Sequence, residues 1–224
     1  MNPFAPAAHF SAELSCAPSC TQLILGGARS GKSALAEARA LAAEQAGYEV
    51  IYLATAPAVQ GDADPEMAAR IEHHRQRRPA HWGLLEEPLA LAATLLAHAA
   101  PHRLLLVDCL TLWLSNLLFA GIDASQAEEG ATMPCPLLEE ASSALLACLP
   151  QLPGQVIFVS NEVGCGIVPM HPLSRRFADE QGRLNQRVAA VCDRVTLVAA
   201  GLALELKSGG VMGFGGICNH RPME

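Results

Sequence analysis

Apolar positions along this chain fall into short solid runs separated by longer stretches in which they recur every three or four residues. The solid runs predict strands at 21–25, 50–54, 104–108, 155–160, 194–199 and 202–206. The periodic stretches predict helices at 32–46, 65–78, 89–100, 111–120, 136–149 and 173–192. A strand with no polar alternation is buried on both faces, and strand–helix alternation predicts a mainly parallel sheet covered by helices on both sides. The last two strands are separated only by Ala200-Gly201, the signature of a hairpin, placed here at the sheet edge. Residues 121–135 are polar and punctuated by Gly and Pro, a surface loop. Residues 1–20 and 208–224 read as tails around one domain over 21–207, the second tail carrying Gly209, Gly210, Gly213, Gly215 and Gly216.

One apolar stretch, from Leu104 to Ile122, has the length of a membrane span. Asp108, Thr111, Ser115 and Asn116 interrupt it, and a buried strand followed by a helix accounts for it better, so no span is expected. Residues 1–22 lack the basic start and long apolar core of a signal peptide. The chain of 224 residues is 51% hydrophobic and 17% charged, as a globular domain is, and its formal charge of −7 argues against a nucleic-acid binder. Its eight cysteines form no C-x-x-C pair, and Cys109, Cys148 and Cys192 fall within apolar segments. Reduced thiols in a cytoplasmic protein are therefore expected. Only residue type would support a zinc site of Cys16, Cys20, Cys218 and His220.

Chemistry enters at Gly26-Gly27-Ala28-Arg29-Ser30-Gly31-Lys32-Ser33, which fits G-x-x-x-x-G-K-[ST] between a predicted strand and a predicted helix. Glycines let backbone N–H groups turn inward onto phosphate oxygens, and the helix N-terminus adds partial positive charge. In such loops the lysine, here Lys32, reaches the β- and γ-phosphates, and the hydroxyl, here Ser33, faces Mg²⁺. Asp108 ends an apolar strand, where phosphoryl-transfer enzymes place the second metal-holding acid; it could instead cap the helix that begins near Thr111.

The predicted helix 65–78 opens on Asp64-Pro65 and stops at Pro79. At 100° per residue Glu66, Arg70, His73 and Arg77 share one polar face within about 60°, while Met67, Ile71 and His74 lie on the adjoining apolar side. Neighbouring cations keep an imidazole neutral and nucleophilic and attract phosphates, which singles out His73 over His74. Further on, Asn161-Glu162-Val163-Gly164-Cys165-Gly166-Ile167-Val168-Pro169 follows a strand. Leu173, Phe177, Leu184, Val188 and Val191 then make an apolar stripe flanked by Arg176, Glu180, Arg183 and Arg187. That charged flank is either a set of helical ion pairs or a cationic edge toward an anionic substrate or a neighbouring subunit.

Taken together, GGARSGKS (26–33), YLATA (52–56), EMAARIEHHRQRRPAHW (66–82), LLLVDCLTLWLSNLLF (105–119) and NEVGCGIVP with LSRRFADEQGRLNQRVA (161–189) resemble the bifunctional adenosylcobinamide kinase / adenosylcobinamide-phosphate guanylyltransferase family, over about 21–207. The resemblance implies a RecA-like P-loop NTPase fold and a homotrimer. It implies phosphorylation of adenosylcobinamide by ATP or GTP, then transfer of GMP from GTP to adenosylcobinamide phosphate through a GMP–histidine intermediate, with His73 in the histidine's place. It carries nucleotide contacts onto Gly26, Gly27, Ala28, Arg29, Ser30, Gly31, Lys32, Ser33, Ala54, Thr55, Ala56, Arg75, Gln76, Arg77, Arg78, Glu86 and Asp108. The chain departs at 75–78, where some members have a Lys-Asp-Gly-Arg-type stretch. Read from the residues alone, a different small-molecule P-loop kinase and a nucleotide-switched binding protein remain as alternatives.

Overall fold

The structure, a computed structural model, describes residues 19–56, 79–121, 134–166 and 168–208. The predicted helix 65–78, most of the 121–135 loop and nearly all of both tails lie outside them. Seven strands form one sheet: β1 (Cys20–Gly26), β2 (Glu49–Ala54), β3 (Gly83–Glu86), β4 (Arg103–Asp108), β5 (Gln155–Asn161), β6 (Arg194–Ala199) and β7 (Leu202–Lys207), in the order β3-β2-β4-β5-β1-β6-β7. All neighbours are parallel except β6 and β7, the expected edge hairpin. The six expected strands are present. β3 was not legible, because its four residues are largely exposed and carry no solid apolar run.

Five helices are described: α1 (Lys32–Gln45), α2 (Leu91–His98), α3 (Leu110–Gly121), α4 (Pro136–Cys148) and α5 (Pro172–Val191). No helix among the described residues is long and apolar enough to cross a membrane; the Leu104–Ile122 stretch is β4 followed by α3. Consecutive residues of the central strands alternate between two cores. Leu23, Leu25, Leu53, Leu105, Val107 and Phe158 face α2 to α5, with Trp113, Leu184 and Val188 among their contacts. Ile24, Tyr52, Leu104, Leu106, Ile157 and Val159 face α1, which meets them with Leu35, Ala36, Ala40 and Ala43. This period-two alternation within solid apolar runs is why the strands look uniformly hydrophobic in sequence.

Of the cysteines, Cys109, Cys135, Cys148 and Cys192 are buried free thiols and Cys165 is an exposed one. Burial pushes the Cys148 thiol up to about 11 and the Cys192 thiol up to about 12, so both are inert. Cys20 departs from the fully reduced expectation: it is disulfide-bonded, at the point where the N-terminal tail enters β1.

Two features fix the hairpin and its neighbours. Lys207 Nζ donates to the carbonyls of Ala189, Ala190 and Cys192, closing the C-terminal end of α5 with a cation. Arg39 of α1 donates to Gln22, Thr196 and Glu205, tying three elements to one guanidinium. At the start of the central strand, Gly154 (φ +79°) turns the chain into β5, where an added Cβ would overlap the carbonyl oxygens of Ala100 and Arg103. Gly154→Ala is expected to lower stability by about 3 kcal/mol, summing a left-handed backbone with a backbone overlap. Chemical denaturation checks this, and an unchanged midpoint would show that the turn relaxes around the methyl group.

Candidate active site

A parallel sheet directs the ends of its strands to one edge, and ligands of such folds bind there. That edge carries Gly26 of β1, Ala54 of β2, Glu86 of β3, Asp108 of β4 and Asn161 of β5. Register sets two levels: Gly26 pairs with Asn161, whereas Ala54, Glu86 and Asp108 are level with one another and with Val159, two residues before Asn161. One strand, β5, separates β1 from β4. Asp108 therefore stands two strand spacings, about 10 Å across the strands, from β1 and two residues short of the start of the phosphate-binding loop.

The loop closes tightly on itself. Ser30 N–H donates to the Gly27 carbonyl at 3.2 Å, and Gly31 (φ +100°) turns the chain into α1. Arg29 also has positive φ, at 57°. A side chain at position 26 is excluded, since its Cβ would overlap Ser30 Oγ and come within 2.5 Å of the Val198 carbonyl. The N-cap of α1 makes no side-chain hydrogen bond, and no acid lies in its first turn. The helix's positive end is thus left to an external anion. Gly27, Ala28 and Arg29 are exposed, and Ser33 is half-buried.

The turn of the β6–β7 hairpin supports the loop from outside. Gly201 N–H donates to the Ser30 carbonyl at 2.9 Å, and Gly201 Cα lies 3.4 Å from where a Gly31 Cβ would stand. On the other side Glu162 N–H donates to the Gly26 carbonyl at 3.0 Å, joining the start of the Glu162–Gly166 loop to the end of β1.

Lys32, the first residue of α1, is 9% exposed, and its ammonium folds back over the loop to donate to the Gly27 carbonyl at 3.1 Å. Burial lowers its pKa, and the Cys109 sulfur and the Asp108 carboxylate oppose that shift. Burial also pushes the Cys109 thiol up to about 11, so that sulfur is uncharged near neutrality and Asp108 is the counter-charge that acts. Lys32 and Asp108 therefore form one electrostatic unit beneath the loop.

Asp108 is half-buried and accepts a hydrogen bond on Oδ2 from the Tyr52 hydroxyl at 2.9 Å. Burial, then the neighbouring Asp108 charge, hold the Tyr52 phenol far above its ordinary pKa, so it stays a donor. Thr55, completely buried, staples the end of β2 to the end of β4: its hydroxyl donates to the Cys109 carbonyl at 2.8 Å and accepts from Cys109 N–H at 2.9 Å. Asn116 of α3 donates to the Thr55 carbonyl at 2.7 Å. Ala54 accepts from Glu87 N–H at 2.9 Å, and Glu86 is exposed beside it.

The sequence-predicted residues thus divide into groups. Gly26 to Ser33 and Asp108 come together around the loop. Ala54, Thr55, Ala56 and Glu86 lie on the same edge but on the far side of β4. His73, Arg75, Gln76, Arg77 and Arg78 lie outside the described residues. The ends of the segment that bears them are anchored: Thr55 is stapled as above, and beyond Pro79 both His81 and Trp82 hydrogen-bond Glu44 in the last turn of α1, at 2.7 and 3.1 Å.

Several supporting residues were missed from sequence. Ser160, Gln181 and Asn185 form a buried hydrogen-bonded cluster that fastens α5 to the end of β5, and Asn185 Nδ2 reaches the Asn161 carbonyl. Thr111 Oγ1 accepts from Asn161 N–H at 2.8 Å. Tyr52 was legible only as part of an apolar run, since its side of the sheet relative to Asp108 is set by the β2–β4 register. On α5, Glu180 and Arg183 pair at 2.6 Å and Arg187 reaches Ser143 of α4. This part of the charged flank is spent within the chain.

Residues 22–206 match the family model described as cobinamide kinase / cobinamide phosphate guanyltransferase. The chain is 56% identical over 185 residues to the bifunctional adenosylcobalamin biosynthesis protein CobP of Pseudomonas aeruginosa, covering 83% of this chain and 96% of that protein. It is 42% identical over 187 residues to the bifunctional adenosylcobalamin biosynthesis proteins CobU of Salmonella typhimurium and of Escherichia coli, covering 83% of this chain and 98% of each.

Proposed function

The chain belongs to the cobinamide kinase / cobinamide phosphate guanyltransferase family, and from that premise we propose that it carries out both reactions with one phosphate-binding loop, within a domain spanning 21–207. It phosphorylates adenosylcobinamide with ATP or GTP. It then transfers GMP from GTP to adenosylcobinamide phosphate, giving adenosylcobinamide-GDP and pyrophosphate. The observation that carries this reading is the loop over a buried Lys32, with Asp108 as its counter-charge, on the carboxyl edge of the sheet.

The chemistry needs three things of the protein. The first is neutralisation of the triphosphate, supplied by Lys32, by the uncapped N-terminus of α1 and by backbone N–H groups of the loop. The second is a metal-holding pair. The Ser33 hydroxyl and the Asp108 carboxylate are hard oxygen donors of the kind Mg²⁺ takes, and Mg²⁺ when bound draws charge from the phosphate oxygens. The third is a nucleophile for guanylyl transfer, which we assign to His73. Its neutral imidazole nitrogen forms a bond to the α-phosphorus while the bond to the β-phosphate oxygen breaks and pyrophosphate leaves. A phosphate oxygen of adenosylcobinamide phosphate then displaces the imidazole, so the histidine returns unchanged. In the kinase step the substrate hydroxyl attacks the γ-phosphorus and the nucleoside diphosphate departs.

The other assigned contacts follow the family pattern: Ala54, Thr55, Ala56, Arg75, Gln76, Arg77, Arg78 and Glu86 surround the nucleotide. We place the protein in the cytoplasm, working as a homo-oligomer, a trimer by family pattern. Leu202, Leu204 and Leu206 of the open edge strand β7, exposed at 75%, 60% and 56%, support an assembly surface there.

Incubation with adenosylcobinamide, GTP and Mg²⁺, followed by mass analysis of the corrinoid, is expected to give the phosphate first and the GDP derivative second. A corrinoid that stops at the phosphate overturns the transferase half, and an unmodified one overturns the whole reading.

A further inference from the structure

We infer that Tyr52 is a positioning residue for the metal–nucleotide complex: its buried hydroxyl fixes the Asp108 carboxylate in the orientation that meets the metal. The inference rests on the metal-holding role of Asp108 proposed above. Tyr52 and Asp108 sit on neighbouring parallel strands, with Tyr52 level with Leu106 and Ala54 level with Asp108. Strand parity therefore puts the Tyr52 and Asp108 side chains on the same face of the sheet, the one covered by α1. The Tyr52 ring is packed into that core at 7% exposure, in one cluster with Ile24, Ala36, Ala40, Leu106 and Val159. A ring so confined cannot swing away, and its 2.9 Å hydrogen bond to Oδ2 is a rigid restraint on Asp108.

Asp108 needs such a restraint because of where it stands. It is the last residue of β4, only half-buried, and the chain turns immediately afterwards into α3. The backbone there is stapled through Thr55 and Cys109. Tyr52 donates to the carboxylate itself, from within the core. Hydrogen bonds of this outer kind orient a ligating carboxylate, and their loss typically weakens metal binding about 10- to 100-fold.

The test is Tyr52→Phe, which removes one hydroxyl and keeps the packed ring, with Asp108→Asn alongside it. Binding of Mn²⁺ to the protein–GTP complex is followed by electron paramagnetic resonance, GTP binding is measured in EDTA, and Mg²⁺ dependence is measured in turnover. For Tyr52→Phe, Mn²⁺ affinity is expected to fall about tenfold. Half-saturation by Mg²⁺ should rise in step, with wild-type turnover recovered at saturating Mg²⁺ and wild-type GTP binding in EDTA. Asp108→Asn should show the larger loss of Mn²⁺. If Asp108→Asn loses Mn²⁺ and Tyr52→Phe does not, the positioning role is wrong while the metal role of Asp108 stands. If neither variant changes Mn²⁺ affinity, the metal role itself falls, and the inference with it. A Tyr52→Phe protein that loses GTP binding in EDTA as well has a damaged loop, and the inference is equally overturned.

Discussion

Lys32→Ala is expected to cut turnover of both reactions on the order of 10²–10³-fold, or roughly 3–4 kcal/mol, the usual loss when one preorganised electrostatic donor is removed. Both half-reactions should fall together, because the proposed mechanism uses one loop for the triphosphate in each. The fold should survive, since the only hydrogen bond of the Lys32 ammonium among those described is to the Gly27 carbonyl. Lys32→Arg should restore little. Lys32 is a buried residue whose ammonium is seated on the Gly27 carbonyl, and a planar guanidinium has a different shape and donor geometry. Steady-state rates of the two half-reactions, measured separately with matched thermal unfolding, check this. Near-normal turnover in the alanine variant would reduce the loop to a structural turn. Loss of one reaction alone would place the two triphosphates in different sites.

The fold was largely legible because its signals are local. A solid apolar run bounded by polar turns marks a strand buried on both faces, as in β1, β2, β4 and β5, while the largely exposed edge strand β7 was found by its leucines and the break before it. The Ala200-Gly201 break gave the edge hairpin for the same reason: both residues have positive φ, at 52° and 79°, as a two-residue hairpin turn requires. β3 was missed because it pairs only with β2 and buries little, so its four residues never needed an apolar pattern. Helix ends moved by a residue or two, as at α2, where Ala99 turns the chain out into extended backbone.

The candidate site was legible in its motif and not in its support. The loop announces itself because glycines, lysine and a hydroxyl must be adjacent in sequence to curl around one phosphate. Its supports come from far along the chain. Gly201 reaches the Ser30 carbonyl across 171 positions, Glu162 reaches the Gly26 carbonyl across 136, and Tyr52 reaches Asp108 across 56. Such contacts depend on strand order, which a sequence pattern does not encode. The sheet places β5 and β6 on either side of β1. That single fact brings the Glu162 loop and the hairpin turn against the phosphate-binding loop.

His73→Ala is expected to abolish guanylyl transfer and to leave phosphorylation of adenosylcobinamide intact. With α-labelled GTP and Mg²⁺, the wild-type protein should retain label through a denaturing gel, and His73→Ala should retain none. His74→Ala, on the apolar side of the same predicted helix, should be milder. The chemistry of the bond provides a second, independent check. A phosphoramidate nitrogen is readily protonated, which makes imidazole a good leaving group, so the adduct should be released by mild acid and survive alkali. A hydroxyl ester would behave in the opposite way, and the nearby alternatives are Ser30, Ser33 and Thr55. Thr55 is a poor alternative, since it is fully buried with its hydroxyl both donating to and accepting from Cys109. Ser30 is 8% exposed, with its oxygen turned inward against Gly26. Ser33 is half-buried in the first turn of α1, where a loop of this kind presents its hydroxyl to Mg²⁺. An acid-labile label mapping to a peptide spanning 71–75 therefore supports His73, whereas an acid-stable label would move the nucleophile to Ser33 and break the separation between the metal-holding and nucleophilic groups on which the two-step scheme depends.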